Sequence, residues 1–97
     1  VAVVLFCCRI SNSPKSPADE HFDRGADYQE QGQLELAFEE YNKAIELDPE
    51  YAPAYNNRGY AHHSLGYYEQ AMADYAKSIE LDPNYAPAYN NRGLVNR

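Results

Sequence analysis

The sequence predicts an all-α protein in which short antiparallel helix hairpins stack as a solenoid. The first observation is an internal copy: residues 46–59 and 80–93 differ at one of fourteen positions. The second is that residues 18–51 and 52–85 share 14 of 34 residues in the same register. A fixed period of this length is typical of repeat proteins, whose units are too small to bury their own apolar face. The chain therefore divides into repeats 18–51 and 52–85 and a partial repeat, 86–97.

Proline, glycine and a capping serine mark the two helices of the first repeat. Ser16 can cap a first helix that has Pro17 at its first position. Gly32 is expected to end that helix, because glycine readily adopts the left-handed conformation found there. The second helix is expected to end at Asp48, since the following Pro49 disfavours helical geometry in the residue before it.

The second repeat carries the same signals. Pro53 is expected to open the third helix, Gly66 to close it, and Pro83 to end the fourth. A fifth helix should begin at Pro87 and continue to the end of the sequence at Arg97. The sequence thus predicts five helices.

The charge of the chain is negative and unevenly distributed. The net charge is −7 at pH 7. Residues 1–17 carry two basic side chains and no acids, whereas residues 18–97 carry fifteen acids against six bases. A surface this acidic repels the phosphate backbone of nucleic acids. We therefore expect a protein or peptide partner and no nucleic acid.

Residues 1–17 differ in composition from the repeats. Residues Val1–Cys8 are apolar, but they are too few to span a bilayer as a helix, which needs about 20 residues. Residues Ser11–Pro17 form a Ser/Pro-rich linker, which marks the boundary of a domain over residues 18–97. The apolar stretch is interpreted either as a truncated signal or membrane anchor, or as a leader that packs against available apolar surface. Membrane association is expected only if residues 1–17 are part of an anchor.

The two cysteines, Cys7 and Cys8, are adjacent in this apolar stretch. Neither has a spaced partner that would form a disulfide framework or a metal site. A reduced, cytoplasmic protein is the simpler interpretation. The alternative is a membrane-anchored or exported protein, if residues 1–8 belong to a truncated signal or anchor.

Small residues, tyrosine and proline recur with the 34-residue period. The recurring pairs are Gly25 and Gly59, Ala37 and Ala71, Tyr41 and Tyr75, and Pro49 and Pro83. This pattern resembles the tetratricopeptide repeat (TPR) family, whose unit is a 34-residue helix–turn–helix. The resemblance implies a solenoid of antiparallel helix hairpins with a right-handed superhelix. It also implies structural roles for the glycines and alanines, because a small side chain lets the two helices of a repeat approach each other.

Three arginines depart from the family pattern, which usually has an aliphatic residue at their position. Arg24, Arg58 and Arg92 recur with the period, so they belong to the architecture. We expect each to pack its aliphatic stem and to reach an acidic side chain. The candidate partners are Glu40 and Asp74, or Asp48 and Asp82.

In TPR proteins, the first helix of each repeat lines a concave groove that receives extended peptides. Carried over to this chain, the resemblance implies a groove formed by Phe22, Asn56, Asn57, Tyr60, His63, Asn90, Asn91 and Leu94. Asparagine side chains both donate and accept hydrogen bonds, which suits a peptide backbone. We expect a peptide to lie across Asn56, Asn57, Tyr60 and Asn90. The alternative is that these are merely solvated polar residues.

The charge of the groove sets the expected class of peptide. Asp19, Asp23 and Glu30 form an acidic end, which favours a neutral or basic peptide. Some TPR domains bind a C-terminal carboxylate through lysine, arginine and asparagine. The matching positions here are Phe22, Ala26, Asn57, Pro87 and Asn91, of which only Asn57 fits. We therefore expect acidic chaperone tails not to bind.

Nothing in the sequence indicates catalysis, a cofactor or a metal site. It contains no glycine-rich phosphate loop, nucleophile elbow or paired-cysteine motif. His62 and His63 are neighbours, so on a helix they point roughly 100° apart and cannot hold one metal ion. We therefore do not expect an enzyme.

Two functions remain. The first is a peptide-binding interaction module within a longer TPR scaffold. The alternative is a structural unit that self-associates through its fifth helix, whose Tyr89, Gly93 and Leu94 have no following helix to cover them. That uncovered face would dock onto another copy of the chain or onto residues Val1–Phe6.

Overall fold

The computed structural model describes residues 15–95, and these residues form an all-α fold, as predicted. The helices are α1 (Pro17–Glu30), α2 (Leu34–Leu47), α3 (Ala52–Ser64), α4 (Tyr68–Leu81) and α5 (Ala86–Val95). Helices α1 and α2 pack as one hairpin and α3 and α4 as the next. Helix α2 packs on α3 and helix α5 packs on α4, so the hairpins stack in chain order. Residues 1–14, which make up most of the predicted leader and linker, lie outside the described residues.

The turns follow from the local sequence. Ser16 and Asp19 form a capping box, in which the Ser16 hydroxyl accepts a hydrogen bond from the Asp19 backbone N–H at 3.1 Å. Gly32 has a φ of 79° and Gly66 a φ of 85°, a conformation that side chains rarely adopt. Helix α1 ends at Glu30 rather than at Gly32, because the glycine forms the reversal itself.

The second helix of each hairpin ends before a proline. Asp48 is extended, with φ of −143°, and its carboxylate accepts a hydrogen bond from the Glu50 backbone N–H at 3.1 Å. Asp82 repeats this arrangement with the Asn84 backbone at 3.2 Å. Because a residue before proline avoids helical geometry, Pro49 sets the end of α2.

Inside each hairpin a tyrosine ring lies against a glycine. Tyr41 and Tyr75 are fully buried. A Cβ atom added to Gly25 would lie 2.5 Å from Cε1 of Tyr41, and one added to Gly59 would lie 2.8 Å from Cε1 of Tyr75. The sequence predicts small residues where two helices cross; the structure shows that a ring of the second helix occupies the space. The fully buried Ala37 and Ala71 complete the contact.

Each hairpin also holds one buried acid. Arg58 donates two hydrogen bonds to the carboxylate of Asp74, at 3.0 and 2.8 Å. In the first hairpin, Nδ1 of His21 lies 2.7 Å from Glu40, and Arg24 lies 3.8 Å from the same carboxylate. Arg24 and Arg58 therefore reach the buried acids of the neighbouring helix and not the aspartates that precede the prolines. The Arg92 guanidinium lies over the Tyr89 ring instead, 5.3 Å from the ring centre.

Within residues 15–95, helix α5 is covered on one side only. Its Ala88 is fully buried, while Tyr89 is 41% exposed and Leu94 is 47% exposed. A Cβ atom on Gly93 would meet nothing within 4 Å. Over the described residues, none of the helices combines the length and the apolar character that crossing a membrane would need. The expected contact with Val1–Phe6 lies outside the described residues.

Candidate functional site

A cavity of about 450 Å³ opens between the first helices of the three repeats. It is lined by Ala26, Gln29, Glu30, Asn57, Tyr60 and Asn91. Helix α1 contributes three of these residues, α3 contributes two and α5 contributes one. Its volume is within the range of ordinary ligand sites, roughly 300–1,000 Å³. The cavity is therefore large enough for a short peptide segment.

The structure brings three of the eight sequence-predicted groove residues to this cavity. Asn57, Tyr60 and Asn91 line it, and Tyr60 is 44% exposed. Asn90 and Leu94 are exposed on α5 but are not among the lining residues. On α5 it is Asn91 that lines the cavity, and the preceding residue, Asn90, does not.

Three other predicted groove residues have neighbours within the protein. Phe22 packs against the rings of Tyr41 and Tyr51, with ring centres 5.9 and 5.5 Å apart. The ring of His63 lies 5.4 Å from that of Tyr68. Asn56 is only 4% exposed. In this structure Asn56 is therefore buried from the groove, and Asn91 lies beside Asn57 and Tyr60 in the cavity where the sequence suggests Asn90.

A directional row of hydrogen bonds runs along this cavity, and we call it the amide ladder. The Asn91 amide donates to Asn56 Oδ1 at 3.0 Å. The Asn56 amide donates to Asn57 Oδ1 at 3.0 Å, and the Asn57 amide donates to the Tyr41 hydroxyl at 3.4 Å. That hydroxyl donates to Gln29 Oε1 at 2.5 Å. Side chains from four helices are thus joined in one direction.

The sequence does not predict that Tyr41 takes part in the groove, although its hydroxyl belongs to the amide ladder. Burial raises the pKa of Tyr41 to about 12, with the Asn57 hydrogen bond acting in the opposite sense. The hydroxyl therefore stays protonated at neutral pH and can donate to Gln29. The 34-residue period assigns Tyr41 to the core, and only the packed structure brings its hydroxyl to the groove.

The acidic end of the groove differs from the sequence expectation. Asp23 forms an ion pair with Lys15. Asp19 accepts a hydrogen bond from the Tyr51 hydroxyl at 2.5 Å, and this bond is the main cause that lowers the pKa of Asp19. Two of the three expected acids therefore already have partners. Glu30 is the charged side chain that lines the cavity.

A second, smaller cavity of about 350 Å³ lies between α2 and α3. It is lined by Phe38, Asn42, Arg58, His62 and Tyr67. Burial is the main cause that lowers the pKa of His62 below its usual 6.5, although Asp74 lies 3.5 Å away. His62 is therefore neutral at pH 7. Among residues 15–95, no group of three or more histidine, cysteine or acidic side chains is arranged to hold a metal ion.

Comparison with known sequence families agrees with this architecture. The model described as TPR repeat matches residues 25–66, and the model described as tetratricopeptide repeat matches residues 52–85. The second TPR of Spaghetti (RPAP3) is similar at 32% identity, with a TM-score of 0.80, over 84% of this chain and 75% of that one. The chain belongs to the tetratricopeptide repeat family. No match was found among curated protein sequences.

The similar TPR structures are described as complexes with peptides or with a chaperone. The second TPR of Spaghetti (RPAP3) is bound to the HSP90 peptide SRMEEVD. The TPR2B domain of yeast Sti1, in a pHsp70 complex, is 33% identical with a TM-score of 0.79, over 81% of this chain and 63% of that one. The first TPR of Spaghetti (RPAP3), with the same HSP90 peptide, is 29% identical with a TM-score of 0.77, over 90% and 68%. None of these descriptions supports the self-association alternative.

Proposed function

We propose that this TPR domain is a protein-interaction module that binds an extended peptide in the cavity between α1, α3 and α5. The observation that carries the proposal is the cavity itself, which is lined by side chains from the first helix of all three repeats. The similar TPR domains described as peptide complexes support the same class of ligand. The cavity between α2 and α3, at about 350 Å³, is smaller.

Amide side chains suit the recognition of a peptide backbone. Gln29, Asn57 and Asn91 line the cavity, and each carries both donors and an acceptor. The exposed Tyr60 offers a ring surface beside them. Backbone carbonyls and N–H groups occur in every peptide, so this arrangement selects an extended chain more than a particular sequence.

The charge of the site favours a neutral or basic peptide. Glu30 lines the cavity, and residues 18–97 carry fifteen acids against six bases. The peptide SRMEEVD bound by the Spaghetti domains contains three acidic residues. At the positions that match the carboxylate-binding TPR domains, this chain has no cation. A like-charged peptide is repelled, and this repulsion is screened by salt.

Calorimetry with two matched heptapeptides tests both the site and the charge preference. The first is SRMEEVD, and the second is SRMKKVK with an amidated C-terminus, in which lysines replace the three acids. We expect the basic peptide to bind at least about tenfold more tightly, a difference of about 1.4 kcal/mol. Tighter binding of SRMEEVD would contradict the charge preference, and no binding of either peptide would argue against the proposed function.

A double variant tests the position of the site. Replacing Asn57 and Asn91 by alanine removes two lining amides, and we expect the affinity for the basic heptapeptide to fall several-fold. The matched control is Asn90→Ala, which makes the same chemical change at an exposed position of α5. Equal effects of the control and the double variant would place the binding site elsewhere.

A further inference from the structure

The two interior tyrosines are equivalent in sequence but not in hydrogen bonding. Tyr41 and Tyr75 lie 34 residues apart and are both fully buried. The Tyr41 hydroxyl donates to Gln29 and accepts from Asn57. The Tyr75 hydroxyl is buried as well, yet it has no hydrogen-bond partner among residues 15–95. Such a group is destabilising, so its occurrence calls for an explanation.

The missing partner can be identified from the repeat. Asn57 donates to Tyr41, and the residue 34 positions after Asn57 is Asn91. If Asn91 behaved as Asn57 does, its amide would donate to Tyr75. Instead it donates to Asn56 Oδ1 at 3.0 Å. The Asn91 amide is thus oriented toward Asn56, whereas the repeat pattern assigns it to Tyr75.

This competition exists at one junction because of one sequence difference. The first repeat has Phe22 at the position that Asn56 occupies in the second. A phenyl ring cannot hydrogen-bond an amide, so Asn57 remains available for Tyr41. Asn56 is 4% exposed, and its own amide donates to Asn57 Oδ1. It thus ties together Asn57 and Asn91, the two asparagines that line the cavity.

We infer that Asn56 is a positioning residue for peptide binding, which fixes the amides of Asn57 and Asn91 while leaving Tyr75 without its hydrogen bond. The inference rests on the proposed function. Each amide has two N–H groups, and the ladder uses one of them on Asn57 and one on Asn91. The second N–H of each amide is held in a defined direction. Two fixed donors on neighbouring helices suit two backbone carbonyl oxygens of an extended, uncharged segment.

The peptide-independent arm of the test compares Tyr75→Phe in two backgrounds. In the natural sequence Tyr75→Phe removes a hydroxyl that bonds to no group of residues 15–95, so the melting temperature should stay the same or rise. In an Asn56→Ala background Asn91 is free to turn to Tyr75, so the same change should lower the melting temperature. A substitution effect of the same sign in both backgrounds would overturn the inference, because Asn56 would then not be holding Asn91.

The binding arm uses the amidated peptide SRMKKVK as its probe. Asn56→Ala should weaken binding by about three- to tenfold, the range expected for one hydrogen bond, although its side chain is buried and does not reach the peptide. Tyr75→Phe should leave the affinity unchanged. The variant Asn56→Asp keeps the side-chain volume but sets a buried carboxylate oxygen against Asn57 Oδ1, so it should weaken binding at least as much as Asn56→Ala.

Side-chain amide resonances of Asn57 and Asn91 in nuclear magnetic resonance spectra provide a readout that loss of stability alone would not move. In Asn56→Ala both pairs of resonances should shift in the free protein, whereas in Asn90→Ala they should not. Unchanged peptide affinity in Asn56→Ala would overturn the positioning role. If the natural sequence binds neither heptapeptide, the proposed function fails, and the Tyr75 comparison still decides whether Asn56 holds Asn91.

Discussion

The first repeat, residues 18–51, and the second, residues 52–85, bury similar residues at equivalent positions. The two repeats differ in the hydrogen bonds and ion pairs that these buried polar groups form. The first satisfies its buried tyrosine hydroxyl and holds its buried Glu40 beside a histidine. The second leaves its tyrosine hydroxyl without a partner in the described part of the chain and holds Asp74 with two hydrogen bonds from Arg58. The two repeats therefore share their packing, which follows the 34-residue period. Single sequence differences between them change which polar groups bond to each other.

The largest expected difference between the repeats concerns the arginines. Arg58→Met leaves Asp74, 6% exposed, without its main partner and should lower the free energy of unfolding by about 3–5 kcal/mol. Arg24→Met should cost under about 1 kcal/mol, since the Arg24 side chain is 56% exposed and His21 still contacts Glu40. Urea unfolding measures both. Adding Asp74→Leu to Arg58→Met should recover much of the loss, and equal losses in the two single variants would contradict the comparison.

The glycines test the packing that the two repeats share. Gly25→Ala and Gly59→Ala each drive a Cβ atom into a buried tyrosine ring and should cost about 1–3 kcal/mol, as overpacked cores do. Gly25 should be the more sensitive, because its Cβ would lie 2.5 Å from the ring, against 2.8 Å at Gly59. In the partial repeat, Gly93→Ala meets nothing within 4 Å and should stabilise the helix by about 0.5–1 kcal/mol. Thermal unfolding of the three variants would show a destabilised Gly93→Ala if the open face were covered.

The tyrosine hydroxyls sharpen the comparison further. Tyr41→Phe removes a donor to Gln29 and an acceptor for Asn57, and it should lower the free energy of unfolding by about 1 kcal/mol. Tyr75→Phe should show no loss, because no bond is broken among the described residues. Chemical denaturation of the two variants measures the difference. Equal losses would mean that Tyr75 has acquired a partner in solution.

The smallest expected effect is a pH dependence specific to the second repeat. Burial lowers the folded-state pKa of His62 below 6.5, so the unfolded chain binds more protons between the two pKa values. Stability should therefore fall as the pH drops from 7 through 6.5, with Asp74 and Arg58 as the charged groups that face this ring. Melting temperatures of His62→Phe should depend less on pH in this window. The first repeat has Tyr28 at the equivalent position, so no histidine there makes its stability depend on pH.

Ordinary acid denaturation, to which Asp19 contributes, is expected at a lower pH than the loss of stability due to His62. Hydrogen bonding lowers the pKa of Asp19 below its usual 3.8, so its contribution to stability is lost only as the pH falls through that lower range. A His62→Phe variant that still loses stability between pH 7 and 5.5 as the natural sequence does would contradict the assignment to His62.

Much of the fold follows from the sequence because its signals are local. Proline at a helix start, glycine with positive φ and an aspartate before proline act within a few residues of themselves. Ser16, Gly66 and Asp82 therefore mark helix limits that the structure reproduces within about two residues. Arg24 and Arg58 also reach one of the two predicted pairs of acids, since an equivalent acid faces them in each hairpin.

The candidate site is predictable only in part, since hydrogen-bond partners depend on side-chain directions across helices. The TPR resemblance assigns Asn57, Tyr60 and Asn91 to a groove, and the structure brings these three to one cavity. It does not indicate that Asn56 faces inward. Nor does it indicate that Lys15 pairs with Asp23, because that contact depends on how the chain enters α1.

The sequence by itself determined the repeat, its helix limits to within about two residues, and the small residues at the helix crossings, because these signals recur with the period. That a tyrosine ring lies against Gly25 and Gly59 emerged from the packed structure. Only the tertiary structure decided how the polar groups pair where hairpins meet. At the junction between α3 and α5, Asn91 had two candidate acceptors, Asn56 and Tyr75, and it bonds to Asn56. The physical reason is that a hydrogen bond requires a donor and an acceptor at about 3 Å in the right orientation. Spacing along the chain sets which side chains are near each other, but the packed geometry sets which of them bond.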